Sequence, residues 1–179
     1  QILYRMAEML EGRKAQFIEE LRQQGSNSRA AEKEVQLSID RCVYYSGWCD
    51  KYQAISSSVN PVSGPFFNFS VPEPMGVVSI IASEELSLLG LVSMILPVIA
   101  GGNTCVVLAS ESKPLCAITL AEVLHSSDLP AGVVNILTGK SAELHAHFSN
   151  HLDVNAYNAA DGAFIKTLFS QNNSIWLEP

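Results

Sequence analysis

The chain has 179 residues, 47% of them hydrophobic and 16% charged. That is enough apolar material for one sizeable core, and it excludes a disordered chain. With 11 Lys+Arg against 18 Asp+Glu the net charge is −7, which excludes the basic face that nucleic acid or an anionic membrane would require.

Residues 1–24 carry apolar side chains at helical spacing, namely Ile2, Met6, Met9/Leu10, Phe17 and Leu21, and Gly25 is placed to stop that helix. A second helix is predicted over about 28–52, with Val35, Ile39, Cys42/Val43 and Tyr45 on its apolar side. Residues 53–75 are rich in Ser, Pro and Gly and read as a connection with an extended hairpin arm around Phe66 to Val71. Phe66, Phe67 and Phe69 are more aromatic than a solvated loop needs; they either anchor an interface or pack on the chain's own core.

From residue 76 the texture changes. GVVSIIA (76–82), TCVVLA (104–109), GVVNILTG (132–139) and LDVNAY (152–157) are runs of strand length, largely without alternation. Between them, ELSLLGLVSMILPVIAGG, PLCAITLAEVLHSS with Pro114 in its first turn, and SAELHAHFSN read as helices. Such an order predicts a parallel sheet covered on both faces. The apolar stretch Leu86 to Ala100 contains Pro97 and, at about 15 residues, is too short to span a bilayer. Gln1 already begins an amphipathic pattern, with no signal segment visible. Cys42, Cys49, Cys105 and Cys116 form no C-x-x-C pair. A cytoplasmic setting with reduced, mostly buried thiols is therefore expected. The abrupt ends fit a fragment of a longer chain.

In a parallel sheet, ligands bind beyond the carboxyl ends of the strands. Those ends are Ala82–Glu85, Leu108–Glu111, Thr138–Lys140 and Tyr157–Asp161. Glu111 is placed either to accept hydrogen bonds from the two hydroxyls of a ribose, or to serve as a solvated or helix-capping acid. Gly139 either admits a flat base or a backbone closely, or is an ordinary turn glycine. Ser141 is placed to cap the short helix after it. Glu84 and Glu85 are either an acid/base pair or acids favoured by a helix N-terminus, and the second is preferred. His125, His145, His147 and His151 lack a cysteine or carboxylate at ligand spacing, so no metal is expected. The chain holds no G-x-G-x-x-G, Walker loop or nucleophile elbow.

Four blocks, EPMGVVSIIA, LPVIAGGNTCVVLASE, DLPAGVVNILTG and YYSGWCDK, resemble the aldehyde dehydrogenase superfamily at close to family spacing. The resemblance covers nearly the whole chain. It implies a partial aldehyde dehydrogenase fold: two N-terminal helices (1–52) packing on the cofactor domain, a connecting or oligomerisation arm (53–75), and a Rossmann-like core (76–179) that ends before the catalytic domain. It implies NAD or NADP as cofactor and oxidation of an aldehyde through a cysteine thiohemiacetal. By the same resemblance Glu111 is the acid that binds the adenosine ribose, Gly139 lies under the adenine, and Ile81 is an apolar residue near the cofactor.

The departures weigh against catalysis. Ser83-Glu84-Glu85 stands where the family has Pro-Trp-Asn, so Glu85 replaces the oxyanion-stabilising Asn with an acceptor-only carboxylate. Leu108 stands in place of a lysine, and Tyr157-Asn158-Ala159-Ala160 in place of Phe-Thr-Gly-Ser. Glu178 in the terminal WLEP corresponds to the general-base glutamate, at a spacing shorter than the family's. The family's nucleophile lies beyond Pro179, and none of the four cysteines stands in its context.

The favoured expectation is a degenerate, non-catalytic dehydrogenase-like domain, most similar to the truncated second region of two-domain members of the family-sixteen type. It would bind NAD(P) weakly or not at all. Its role would be structural: homo-oligomerisation, or packing against a second dehydrogenase domain. The alternatives are a fragment of a functional NAD(P)-dependent aldehyde dehydrogenase, and a regulatory nucleotide-binding module that uses Glu111 and Gly139 without chemistry.

Overall fold

The computed structural model describes residues 1–159 and the two-residue strand at 166–167. The helix predicted over 1–24 is two helices, α1 (Ile2–Gly12) and α2 (Lys14–Gln23), separated at Arg13. Arg13 leaves helical geometry at φ −103°, ψ 13°, and its guanidinium reaches Glu122 at 2.6 Å. The break lets Met6 and Leu10 of α1 enter one core together with Phe17 and Leu21 of α2. Gly25 ends α2 with φ +97°; its N–H donates to the Arg22 carbonyl and that of Ser26 to the Leu21 carbonyl, the left-handed stop that glycine adopts without strain.

Helix α3 (Ser28–Cys49) is capped by Asn27, whose side chain accepts the Ala30 N–H at 2.9 Å. Its inner face is Ala31, Glu34, Val35, Ser38, Ile39 and Cys42. Val43 lies one position off that stripe and is 46% exposed, which corrects its assignment to the apolar side. The helix also ends before the predicted residue 52, and a short α4 (Tyr52–Ser56) follows. The arm carries β1 (Ser58–Asn60) and β2 (Asn68–Ser70), an antiparallel pair in the register Ser58↔Ser70. Phe66, Phe67 and Phe69 are 75%, 74% and 56% exposed, so they do not pack on the chain's own core.

The remainder is β3 (Val77–Ile81), α5 (Ser87–Ala100), β4 (Thr104–Leu108), α6 (Leu115–Ser126), β5 (Val134–Leu137), α7 (Ser141–Asn150), β6 (Ala156–Ala159) and β7 (Lys166–Thr167). The sheet order is β5-β4-β3-β6-β7. The first four strands run parallel and β7 is antiparallel to β6. The fourth strand begins four residues later than the run 152–157 suggests. Leu152 is 96% exposed in a turn, and the Asn155 side chain accepts the Val77 N–H at 2.8 Å just before pairing with β3 starts.

Side chains alternate across the two central strands. Val78, Ile80, Cys105 and Val107 join α1, α2, α3, α5 and α6 in the larger core. Ile81, Val106 and Leu108 join Phe148 of α7 and Tyr157 in the smaller one. The sheet is thereby covered on both faces. The AGGNT block has a mechanical role here: Asn103 Oδ1 accepts the N–H groups of Met75 and Gly76, tying the end of α5 to the start of β3. Gly76 has φ +125°, and a Cβ on it would lie 2.2 Å from Asn155 Oδ1. No other residue fits there.

Candidate functional site

At the carboxyl ends of β3, β4 and β5 lies a cleft of about 890 Å³ lined by Ile81 to Glu85, Glu111, Ser112 and Ser141. Its walls are built from three segments. The β3–α5 loop brings Ser83, Glu84 and Glu85, the β4–α6 loop brings Glu111 and Ser112, and the first residue of α7 is Ser141.

Glu84 dominates the geometry. Its Oε1 accepts the Glu111 N–H at 2.7 Å. Its Oε2 accepts the Ser110 hydroxyl at 2.7 Å, the Ser112 hydroxyl at 2.6 Å and the Ser112 N–H at 3.2 Å. The Lys113 N–H in turn donates to Ser110 Oγ at 3.0 Å. Partial burial pushes the Glu84 carboxyl up, but the hydrogen bonds from Ser112, Ser110 and the Glu111 and Ser112 backbone outweigh it and bring the pKa down to about 2. Glu84 therefore does not favour the start of α5, as the sequence led us to expect; it holds the next loop. The first turn of α5 contains no acid. Its N–H groups on Leu88 and Leu89 are taken instead by Glu34 of α3, at 2.9 and 3.2 Å.

Glu111 is also engaged. Its Oε2 accepts the Ser141 N–H at 3.0 Å, at the first residue of α7. Ser141 thus does not cap α7 with its hydroxyl, and no side chain of that helix's own cap residue does so. Ile81 closes β3 and lines the cleft. Gly139 does not line it; a Cβ there would lie 2.9 Å from Leu144 Cδ1, so the residue makes room for α7. Glu85 is an exposed acid on the cleft wall, and Lys113 Nζ donates to its carbonyl at 3.3 Å. Leu108 is buried with Phe148 and Tyr157. Ala160 and Glu178 lie outside the described residues.

Three acids, Glu84, Glu85 and Glu111, thus share one cleft; the Ser110 and Ser112 hydroxyls and the Glu111 and Ser112 N–H groups are bonded to Glu84, and the Ser141 N–H to Glu111. The histidines converge on nothing: among the described residues no three His, Cys, Asp or Glu side chains group as metal ligands. His145 Nε2 lies 2.9 Å from the Tyr157 hydroxyl. Sequence reasoning missed the roles of Glu84 and Glu34. The available signals were the donor-rich Ser-Glu-Ser before Pro114, and a lone acid at helical spacing within the inner face of α3.

A parallel sheet covered on both faces, with its cleft at the strand ends, is the architecture of a dinucleotide-binding domain. The chain belongs to the aldehyde dehydrogenase family, whose model matches residues 1–160. It is 31% identical to omega-crystallin of Enteroctopus dofleini over 156 residues, 86% of this chain and 31% of that protein. It is 32% identical to the cytosolic 10-formyltetrahydrofolate dehydrogenase of Homo sapiens over 157 residues, 86% of this chain and 17% of that one. The aldehyde dehydrogenase of Bacillus cereus, solved as an NAD+ complex, superposes with a TM-score of 0.81 at 26% identity, over 88% of this chain and 32% of that one. The chain therefore spans a third or less of these relatives. Among the described residues no helix is long and apolar enough to cross a membrane.

Proposed function

We propose that this region is a non-catalytic aldehyde-dehydrogenase-like domain whose role is to pack against another dehydrogenase unit, either a second copy or a catalytic domain, in the cytoplasm. The observation that carries the reading is the state of its two cleft acids. Glu84 takes four donors of the β4–α6 loop, and Glu111 takes the Ser141 N–H. A dinucleotide arriving there meets three carboxylates and a β4–α6 loop whose hydroxyl and N–H donors at 110–112 are held by Glu84, and its phosphates are repelled. The oxyanion position implied by the resemblance carries Glu85, which has no proton to donate.

Support for the packing role comes from the arm. Phe69, paired with the exposed Val59 on a two-stranded sheet, and Phe66 and Phe67 just before it present apolar surface on an element too small to be stable unsupported. Titration calorimetry with NAD+ and NADP+ tests the reading. The expected result is no binding tighter than about 1 mM. Micromolar binding without aldehyde oxidation overturns it in favour of a regulatory nucleotide-binding module.

A further inference from the structure

We infer that Glu84 is a latch: its carboxylate acts as a tethered ligand of the 110–112 loop and keeps the cleft closed to anionic ligands. The inference rests on the reading that the unaltered cleft takes no dinucleotide, and it names what shuts it. Three strand ends are joined in series. Glu84, after β3, holds the loop after β4 through both carboxylate oxygens, at 2.6 to 3.2 Å. Glu111, whose backbone is so held, turns its own carboxylate to the Ser141 N–H after β5. Two backbone N–H groups and two hydroxyls on consecutive residues form the kind of concave donor set that binds an anion. Here the anion is supplied by the chain itself.

A ligand in cis competes at millimolar effective concentration or above, so a mobile phosphate must displace it and overcome the charge of Glu85 besides. Removing Glu84 therefore does two things at once. It frees four donors, and it deletes one of the three negative charges in the cleft. Lys113, next to the loop, already directs its ammonium to the Glu85 carbonyl at 3.3 Å and is a cation within the same strand-end region for an incoming phosphate.

The test compares the 179-residue chain with Glu84→Ala and Glu84→Gln, using ADP as the probe in titration calorimetry and amide hydrogen exchange at Glu111 and Ser112 as the local readout. In Glu84→Ala both amides exchange at least about tenfold faster, and ADP binds at least about tenfold more tightly than to the unaltered chain. Glu84→Gln moves both readouts in the same direction but less, because it loses the charge and keeps one acceptor oxygen. It also serves as the test should the alanine variant not fold. Folded variants whose exchange or ADP affinity stays at the unaltered value overturn the latch and leave the proposed function standing. Micromolar ADP binding by the unaltered chain overturns the reading of a closed cleft itself.

Discussion

Glu34 of α3 accepts the N–H groups of Leu88 and Leu89, so the N-terminus of α5 is capped by a side chain 54 residues earlier in the chain. The carboxylate is almost wholly buried, in a residue only 6% exposed. It satisfies donors that α5's own cap residue, Leu86, cannot. Glu34→Ala leaves those donors unpaired in the core and is expected to cost about 1–3 kcal/mol. In a chain of this size that lowers the melting temperature by about 2–4 °C per kcal/mol. An unchanged melting temperature by circular dichroism would mean that the cap carries no energy.

Glu84 makes stability depend on acid pH. Its pKa is lowered from an ordinary 4.5 to about 2 in the folded chain. A depressed carboxyl contributes stability above its unfolded pKa and loses it as pH falls toward the folded value. Urea unfolding of the chain and of Glu84→Gln, compared from pH 7 downward, should show a constant difference above about pH 5 that shrinks toward pH 2. A difference that is flat to pH 2 would separate Glu84 from the loop it is bonded to.

The cysteines divide three to one. Desolvation pushes the thiols of Cys42, Cys105 and Cys116 up to about 12, with the charges of Glu20 and Glu34 adding to the effect at Cys116. Cys49 is exposed. A colorimetric disulfide reagent at pH 8 should therefore modify Cys49 promptly in the native chain, and the other three only on unfolding, since thiolate and access are both required. Fast reaction of a second thiol would contradict the burial.

The arm can be altered without touching the core. The rings of Phe67 and Phe69 meet at 5.4 Å between centroids, tilted by 36°, while remaining mostly exposed. Replacing both by serine should change monomer stability by no more than about 0.5 kcal/mol. If the arm joins two copies of the chain, the mass measured by light scattering falls to that of a single chain on the double substitution. An assembly that survives the double substitution is held elsewhere.

Much of the sheet was legible in advance. Val77–Ile81 and Thr104–Leu108 fall inside predicted runs because strands covered on both faces leave an apolar signal at nearly every position; the edge strand Val134–Leu137 also falls inside one, although its Asn135 and Leu137 are exposed. The fourth strand was misplaced because Leu152 and Val154 supply the same local pattern, while pairing with β3 starts only after Asn155 has taken the Val77 N–H. The break at Arg13 was hidden because helical spacing continues across it. At the site, the sequence marked Glu84, Glu85 and Glu111 as strand-end residues and Ser141 as a helix cap, but not their partners. At Gly139 the sequence did not show the Leu144 side chain, whose Cδ1 would lie 2.9 Å from a Cβ added there.

From its sequence alone this protein is an α/β chain with a parallel sheet and a cleft at the strand ends. Those properties follow from burial, which acts on each residue according to its own side chain and so leaves a periodic record. Where each carboxylate goes was decided by the tertiary structure. Glu84 lies 27 residues from the Glu111 N–H it accepts, and Glu111 lies 30 from that of Ser141. A hydrogen bond depends on distance and direction between groups that the chain order does not bring together. Only the packing of α3 on α5 and of neighbouring strands on one another brings these acids to the backbone N–H groups they accept.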